Sequence, residues 1–432
     1  MLSFFKKLSP ARIIALGFLA LILIGSILLM LPICIKDGIE VSYIDALYTS
    51  TSAVCVTGLI TIDPGDTFTP IGQFILGLLI QIGGLGVTSV GAGVIMAMNK
   101  RLDLKSRLLI REGSNLGSAK GIALFIKNVF VLTLIFELIG AALSFIVFSQ
   151  DYPILDAIGI SLFHSVAAFN NSGFDILGNF QSLIPYQSNV LLNLVTCALI
   201  FFGGIGFLVI REIIDKRFNL KKCSMHTKVV LSVSAVLLIV GTLLIKLTED
   251  ISWLGAFFTS VSVRTAGFSA YSLGGFSNAG LLIVIILMII GASPGSTGGG
   301  IKTSTFFVLV MGIKSAATNK SEKAFKYSIP KDAFKKAATI FTLAISIIAL
   351  GTYLLLALEP NIRFIDALFE ITSAFGTVGL STGITTSLCD LSKLLSIIIM
   401  FIGRLGPLTV ATLWYFSKGE RVRYPDGDIA IG

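Results

Sequence analysis

Backbone and hydroxyl oxygens, presented by glycine and short side chains, are the groups in this chain whose spacing points to chemistry. They concentrate in four stretches. The first reads Thr49-Ser50-Thr51-Ser52-Ala53-Val54-Cys55-Val56-Thr57-Gly58-Leu59, and the second Ser165-Val166-Ala167-Ala168-Phe169-Asn170-Asn171-Ser172-Gly173-Phe174. The third is Thr259-Ser260-Val261-Ser262-Val263-Arg264-Thr265-Ala266-Gly267-Phe268, and the fourth Ile371-Thr372-Ser373-Ala374-Phe375-Gly376-Thr377-Val378-Gly379-Leu380-Ser381-Thr382-Gly383. In each, a glycine precedes a large apolar residue, and an aromatic lies ten residues before that glycine: Tyr48, Phe163, Phe257 and Phe369. The glycines are 115, 94 and 112 residues apart, the mark of an internal repeat.

Oxygens of this kind suit a hard cation that must exchange its hydration shell for fixed ligands. Backbone carbonyls can be turned toward one axis only where residues take positive φ at little cost, which is what glycine supplies. Four such loops predict one site, with the cation at the backbone carbonyls of Gly58, Gly173, Gly267 and Gly379. The residues before them complete the four strands: Val56 and Thr57, Asn171 and Ser172, Thr265 and Ala266, Thr377 and Val378. A short helix before each loop would aim its C-terminal carbonyl charge at the ion. Arg264 cannot face a passing cation and is expected behind the loop, bonded to loop carbonyls. The segments flanking the loops hold most of the 24 acidic residues, and an acidic mouth concentrates cations.

The elements that must position these loops are membrane helices. The chain is 54% hydrophobic and 13% charged, with mean hydropathy +0.92, where a soluble domain carries about 25% charged residues. Apolar runs of spanning length recur along all 432 residues. The fold class predicted is an all-α integral membrane protein of eight transmembrane helices, built as four tandem span, pore helix, span repeats around a pseudo-fourfold pore. The repeats are placed at 1–99, 100–214, 215–313 and 337–432, with a cytoplasmic linker at 314–336. Short helices are expected at about 43–54 and 155–169 and from about 253 and 364. Second spans are expected at 70–98, 190–210 and 391–416. Most of the 33 Lys and Arg fall in clusters at 6–12, 100–127, 211–228, 302–336 and 418–423. They occupy alternate intervals between apolar blocks, which predicts cytoplasmic termini and excludes a nucleic-acid reading of the +9 net charge. The five cysteines form no paired motif, and the two histidines have no partner at ligand spacing. Glu137 falls inside a span and is expected to pair with a neighbouring helix.

Glycines recur in the second spans, at Gly83-Gly84-Leu85-Gly86, Gly203-Gly204-Ile205-Gly206 and Gly403-Arg404-Leu405-Gly406. In the first two they predict close helix packing. In the third repeat the place is taken by Gly291-Ala292-Ser293-Pro294-Gly295-Ser296-Thr297-Gly298-Gly299-Gly300. Ten small residues with a proline cannot hold a helix, and broken backbone at membrane depth survives only where protein or water covers it. This stretch should line or plug a cavity, with its carbonyls as acceptors for Arg404. It superficially resembles a phosphate-binding loop, but Ile301 separates the last glycine from Lys302, and a membrane run precedes it in place of a strand.

From first span to last these motifs resemble the Ktr/Trk/HKT potassium transporter family, most nearly its Ktr-type membrane subunit. The resemblance implies potassium uptake across the plasma membrane and no enzymatic activity. It makes Gly58, Gly173, Gly267 and Gly379 the filter glycines, 291–300 the intramembrane gate, and Arg404 the arginine facing that gate. It further implies a homodimer with a pore in each subunit and a KtrA-like cytoplasmic ring of nucleotide-binding regulatory subunits. No cofactor is implied; the transported ion is K+, and Gly58, where some sodium-preferring relatives carry serine, argues for K+ over Na+. The alternatives are a sodium-selective or sodium-coupled transporter of the same superfamily, and a secondary transporter with a midplane site, whose repeats would be inverted and not parallel.

Overall fold

The computed structural model describes residues 8–98, 107–110, 121–330 and 332–413. Lys6, Lys7, most of the basic stretch 100–120 and the cluster 418–423 lie outside the described residues. The order long helix, short helix, loop, second helix occurs four times. It runs through α1 (Pro10–Leu29), α2 (Tyr43–Cys55), α3 (Pro70–Leu85) and α4 (Val87–Ala97), then α5 (Ile122–Phe148), α6 (Ile154–Phe169), α7 (Val190–Ile205) and α8 (Phe207–Asp215). It continues with α9 (Met225–Thr248), α10 (Trp253–Ser262), α11 (Asn278–Ile289) and α12 (Thr303–Thr318). It ends with α13 (Ala333–Leu358), α14 (Phe364–Gly376), α15 (Asp390–Leu405) and α16 (Pro407–Thr412). By length and composition α1, α5, α9 and α13 can each cross a membrane, and two bent pairs, α3 with α4 and α7 with α8, qualify if each pair counts as one span.

The helix starts are written locally. Ser9, Ser42, Thr69, Asn189, Ser224, Ser252 and Ser277 each accept a bond from the backbone N–H three residues on, satisfying a donor that the first turn leaves free. Packing then repeats with the sequence. Ser50, Ser165 and Ser260 on the short helices donate to the carbonyls of Ile22, Glu137 and Leu238 on the long helices, at 2.7, 2.6 and 3.0 Å. Each acceptor lies three residues before a glycine (Gly25, Gly140, Gly241) where a Cβ would strike that serine and a leucine of the second helix. In the fourth unit Gly351 meets Ile371 and Ile399. Each second helix packs on the short helix of the next unit: α3 on α6, α7 on α10, α11 on α14, and α15 back on α2, which closes a ring.

Two expectations need correction. The second helices are not continuous. α3 and α4 meet at 98° and α7 and α8 at 94°, and the same break separates α15 from α16. Each break falls on a glycine, Gly86, Gly206 or Gly406, at φ +83°, +92° and +87°, a region closed to most side chains. Close packing does account for the first glycine of each motif: a Cβ at Gly83, Gly203 or Gly403 would fall on the carbonyl of Val54, Phe169 or Phe375. Second, in the third unit the buried aromatic is Phe258, not Phe257, because its loop is one residue shorter, and the equivalent position moves to nine residues before the glycine. The segment 314–336, expected as a cytoplasmic linker, carries regular structure. α12 extends into it to Thr318, and a hairpin pairs Lys323–Ala324 with Tyr327–Ser328.

Candidate functional site: a glycine ring above a broken helix

The four loops meet. A Cβ on Gly58 would fall on the carbonyl of Ser172, one on Gly173 on that of Ala266, one on Gly267 on that of Val378, and one on Gly379 on that of Thr57. Each glycine therefore lies against the strand of the next unit, and the fourth returns to the first. Their φ values are +92°, +71°, +81° and +94°. Two residues earlier in every loop, Val56, Asn171, Thr265 and Thr377 are also left-handed, at +57°, +56°, +71° and +49°. Such backbone is costly for β-branched residues and persists only where the surroundings impose it. Here Ser52 and Ser373 hydroxyls accept the N–H of Gly58 and Gly379, at 3.0 and 3.1 Å. The Ser172 hydroxyl reaches back to the Ala167 carbonyl at 3.1 Å. All the strand residues before the glycines are buried.

The stretch 291–300 lies against the base of this ring. A Cβ at Gly298 would strike Thr265 Oγ1, and one at Gly299 would strike Thr377 Oγ1. Gly300, at φ +67°, approaches the Gly376 carbonyl. The stretch leaves and rejoins the helical path at a parallel bridge of Ile290 and Ile301. Between them it rests on the break of the second unit: Ser293 N–H donates to Gly204 O at 3.0 Å, and Phe207 N–H to Gly295 O at 3.1 Å. Ser296 closes a turn onto the Ser293 carbonyl, and Pro294 presents its carbonyl to Gly206. The Thr297 hydroxyl reaches Phe169 O and Gly203 O at 3.3 and 3.2 Å. Arg404 donates to the carbonyls of Thr297 and Gly83, and to Gly84 O at 3.2 Å, with its guanidinium 5.8 Å from the Phe18 ring centre. One side chain thus ties the broken stretch to two other units. Lys302, read from sequence only as the end of a false phosphate motif, donates from Nζ to Gly298 O at 2.7 Å.

Behind the ring lie buried polar groups. Arg264 reaches Gly291 O and Ser234 Oγ, each at 3.5 Å, so its carbonyl partner belongs to the broken stretch and not to the third loop as expected. Glu137 accepts from the Asn170 amide at 3.1 Å, a residue of the neighbouring loop. His164 meets Thr196 Oγ1 at 2.9 Å. Glu370 went unnoticed in the sequence because it ends an apolar run. It is fully buried, and its signal was a carboxylate nine residues before Gly379, where the second unit has His164 before Gly173.

Two cavities flank the site. One of about 380 Å³ is lined by the four ring glycines, by Asp175 and by the hydroxyls of Ser182, Ser381 and Thr385. Burial and the neighbouring Asp63 charge push the Asp175 carboxyl up to about 7. The other, about 540 Å³, is lined by Gly295, Ser296, Gly298 and Gly300, with Lys302 and Arg404 as its charged groups.

A family model described as "TrkH: Cation transport protein" matches residues 9–419. The chain belongs to this cation transport family. It is 37% identical to the "Potassium/sodium uptake protein NtpJ" of Enterococcus hirae, covering 99% of this chain and 98% of that one. It is 35% identical to the "Ktr system potassium uptake protein B" of Bacillus subtilis, covering 99% and 97%. The crystal structure of the potassium transporter TrkH from Vibrio parahaemolyticus superposes with TM-score 0.75 at 18% identity, over 95% of this chain and 87% of that one, and shares its fold. The protein is therefore a helical, multi-pass membrane cation transporter and not an enzyme.

Proposed function

We propose that this chain is the ion-conducting subunit of a Ktr-like potassium uptake system in the plasma membrane. The observation that carries the reading is the closed ring of Gly58, Gly173, Gly267 and Gly379, each seated on the strand of the next unit. In it, Val56-Thr57-Gly58, Asn171-Ser172-Gly173, Thr265-Ala266-Gly267 and Thr377-Val378-Gly379 form the selectivity filter, and K+ exchanges water for their carbonyls. The full-length likeness to relatives named for potassium uptake supports the choice of ion. The stretch 291–300, held by Arg404, is the gate. It lies directly under the ring, and its glycines leave few side-chain contacts to break when it moves aside. The cavity lined by Asp175 faces outward and the one lined by Lys302 inward, with both termini cytoplasmic, in keeping with the basic clusters of the alternate loops. The four-repeat division, the homodimer and the docked KtrA-like regulatory ring belong to the same reading, the last supported by the word "system" in a relative's name.

A second reading, in which Na+ shares the path, is favoured by the potassium/sodium relative. One experiment addresses both. A bacterium lacking its own potassium uptake systems, expressing this chain, should take up Rb+ and grow on limiting K+, with Na+ entering more slowly. Uptake of Na+ equal to that of Rb+ would favour the second reading, and uptake of neither would refute both.

A further inference from the structure

We infer that Glu370 is a positioning residue for ion selection, a buried carboxylate that clamps the outer strand of the fourth filter loop to its own pore helix. This rests on the filter assignment above. Glu370 lies on α14 with no exposed surface. Its Oε2 accepts from the Ser381 hydroxyl at 2.8 Å and its Oε1 from the Thr385 hydroxyl at 2.5 Å. Ser381 and Thr385 follow Gly379 by two and six residues, on the strand that lines the Asp175 cavity with the glycines themselves. The Ser381 oxygen also accepts the Gly383 N–H at 3.0 Å, at a residue with φ +103°. The carboxylate therefore holds two points of a strand that turns sharply between them. Arg363, at the start of the same helix, is engaged by Asp366 at 2.7 Å, and the Glu370 hydrogen bonds seen are with hydroxyls alone.

The matching positions in the other units explain why the clamp is particular to the fourth. Nine residues before Gly58 stands Thr49, and nine before Gly173 stands His164. In the third unit the one-residue shift places Thr259 there. Neither threonine can take two donors on two separate oxygens, and His164 is turned to Thr196. A buried carboxyl group whose two oxygens each meet a hydroxyl of this segment ties two points of it to one side chain. It fixes the outer end of the fourth strand, and through Gly379 the neighbour on which Gly267 rests and the carbonyl of Thr57. A ring whose carbonyl spacing discriminates between ions of different radius needs that end fixed.

The test compares Rb+ uptake, its inhibition by Na+, and membrane abundance for the parental chain and for Glu370→Gln, Glu370→Ala, Thr385→Ala and Thr385→Ser. Glu370→Ala should lower preference for Rb+ over Na+ about tenfold, equivalent to about 1.4 kcal/mol. KM for Rb+ should rise while Vmax per transporter changes little. Glu370→Gln, keeping the volume and one acceptor, should fall between. Thr385→Ala should shift the preference in the same direction, and Thr385→Ser, which restores the hydroxyl, should return it. A role in packing alone would lower abundance and leave KM and the ion preference at parental values, and that result overturns the inference. If Glu370→Ala does not reach the membrane, the threonine pair decides: equal ion preference in Thr385→Ala and Thr385→Ser overturns it. A parental chain that transports neither ion refutes the transport reading itself, a failure distinct from shifts confined to the variants.

Discussion

The glycine ring and the stretch 291–300 are both rich in glycine, both non-helical, and in contact with each other, yet glycine serves opposite ends in them. In the ring each glycine is wedged against the carbonyl of another unit, and Gly58 and Gly379 are also held by serine hydroxyls at the short-helix ends. The missing Cβ there is a matter of fit, and the backbone is locked from several sides. In 291–300 the glycines also fit closely, against Thr265 and Thr377, and the segment is joined to other elements by backbone bonds with Gly203, Gly204 and Phe207, by its own Thr297 hydroxyl and by the side chain of Arg404. Order in the first is distributed over a closed ring of four like contacts, whereas order in the second rests on backbone bonds to the break of one unit and on the single side chain of Arg404. Local opening draws on regions of the second kind.

Substitutions can break this comparison, beginning with the largest expected effect. Gly58→Ser combines a left-handed φ, costing about 1–2 kcal/mol for an L-residue, with a side chain driven onto the Ser172 carbonyl. It should reduce K+ preference over Na+ by about tenfold or more. Unchanged selectivity at unchanged abundance would remove the filter assignment. If 291–300 is the plug proposed above, deletion of residues 296–299 removes most of it and leaves the ring, so initial Rb+ uptake should rise several-fold with selectivity largely kept; a folded deletion with lower flux would mean the segment supports the ring instead of closing it. Arg404→Ala should act in the same direction more weakly. It removes the hydrogen bonds of a charged donor, each worth about 1.5–3 kcal/mol, but leaves the obstruction in place. Equal effects of deletion and substitution would show the arginine to be the whole of the closure.

The smallest effect concerns the cavity lined by Asp175. Asp175 has its carboxyl raised to about 7, first by burial and then by Asp63, so it is ionised above that pH and neutral below it. The lined cavity should hold less negative charge as external pH falls from about 8 to about 6, and uptake at limiting K+ should drop about twofold. Asp175→Asn should be slow and flat across that range. A variant retaining the parental pH profile would assign the titration elsewhere, with Asp63, whose carboxyl burial also raises, the first candidate.

Much of this was legible in the residues. The four glycine loops, their short helices and the long apolar helices follow from composition, period and capping, because each is a local consequence of a few neighbouring side chains. The non-helical character of 291–300 follows likewise from ten small residues and a proline. Arg404 was readable as an anchor because a buried guanidinium must find acceptors. What the chain alone left undecided depends on contacts between distant segments. Gly86, Gly206 and Gly406 could serve packing or a break, and only the carbonyls of Val54, Phe169 and Phe375, crowding the glycines three residues earlier, show that packing uses one glycine and the break another. The one-residue shift from Phe257 to Phe258 could not be seen, because aromatics occupy both positions and burial by neighbouring units selects between them. The partners of Arg264 and Glu370 were equally hidden, since a buried polar group is satisfied by whatever oxygen or hydroxyl the fold brings within about 3 Å, and sequence distance does not constrain that choice.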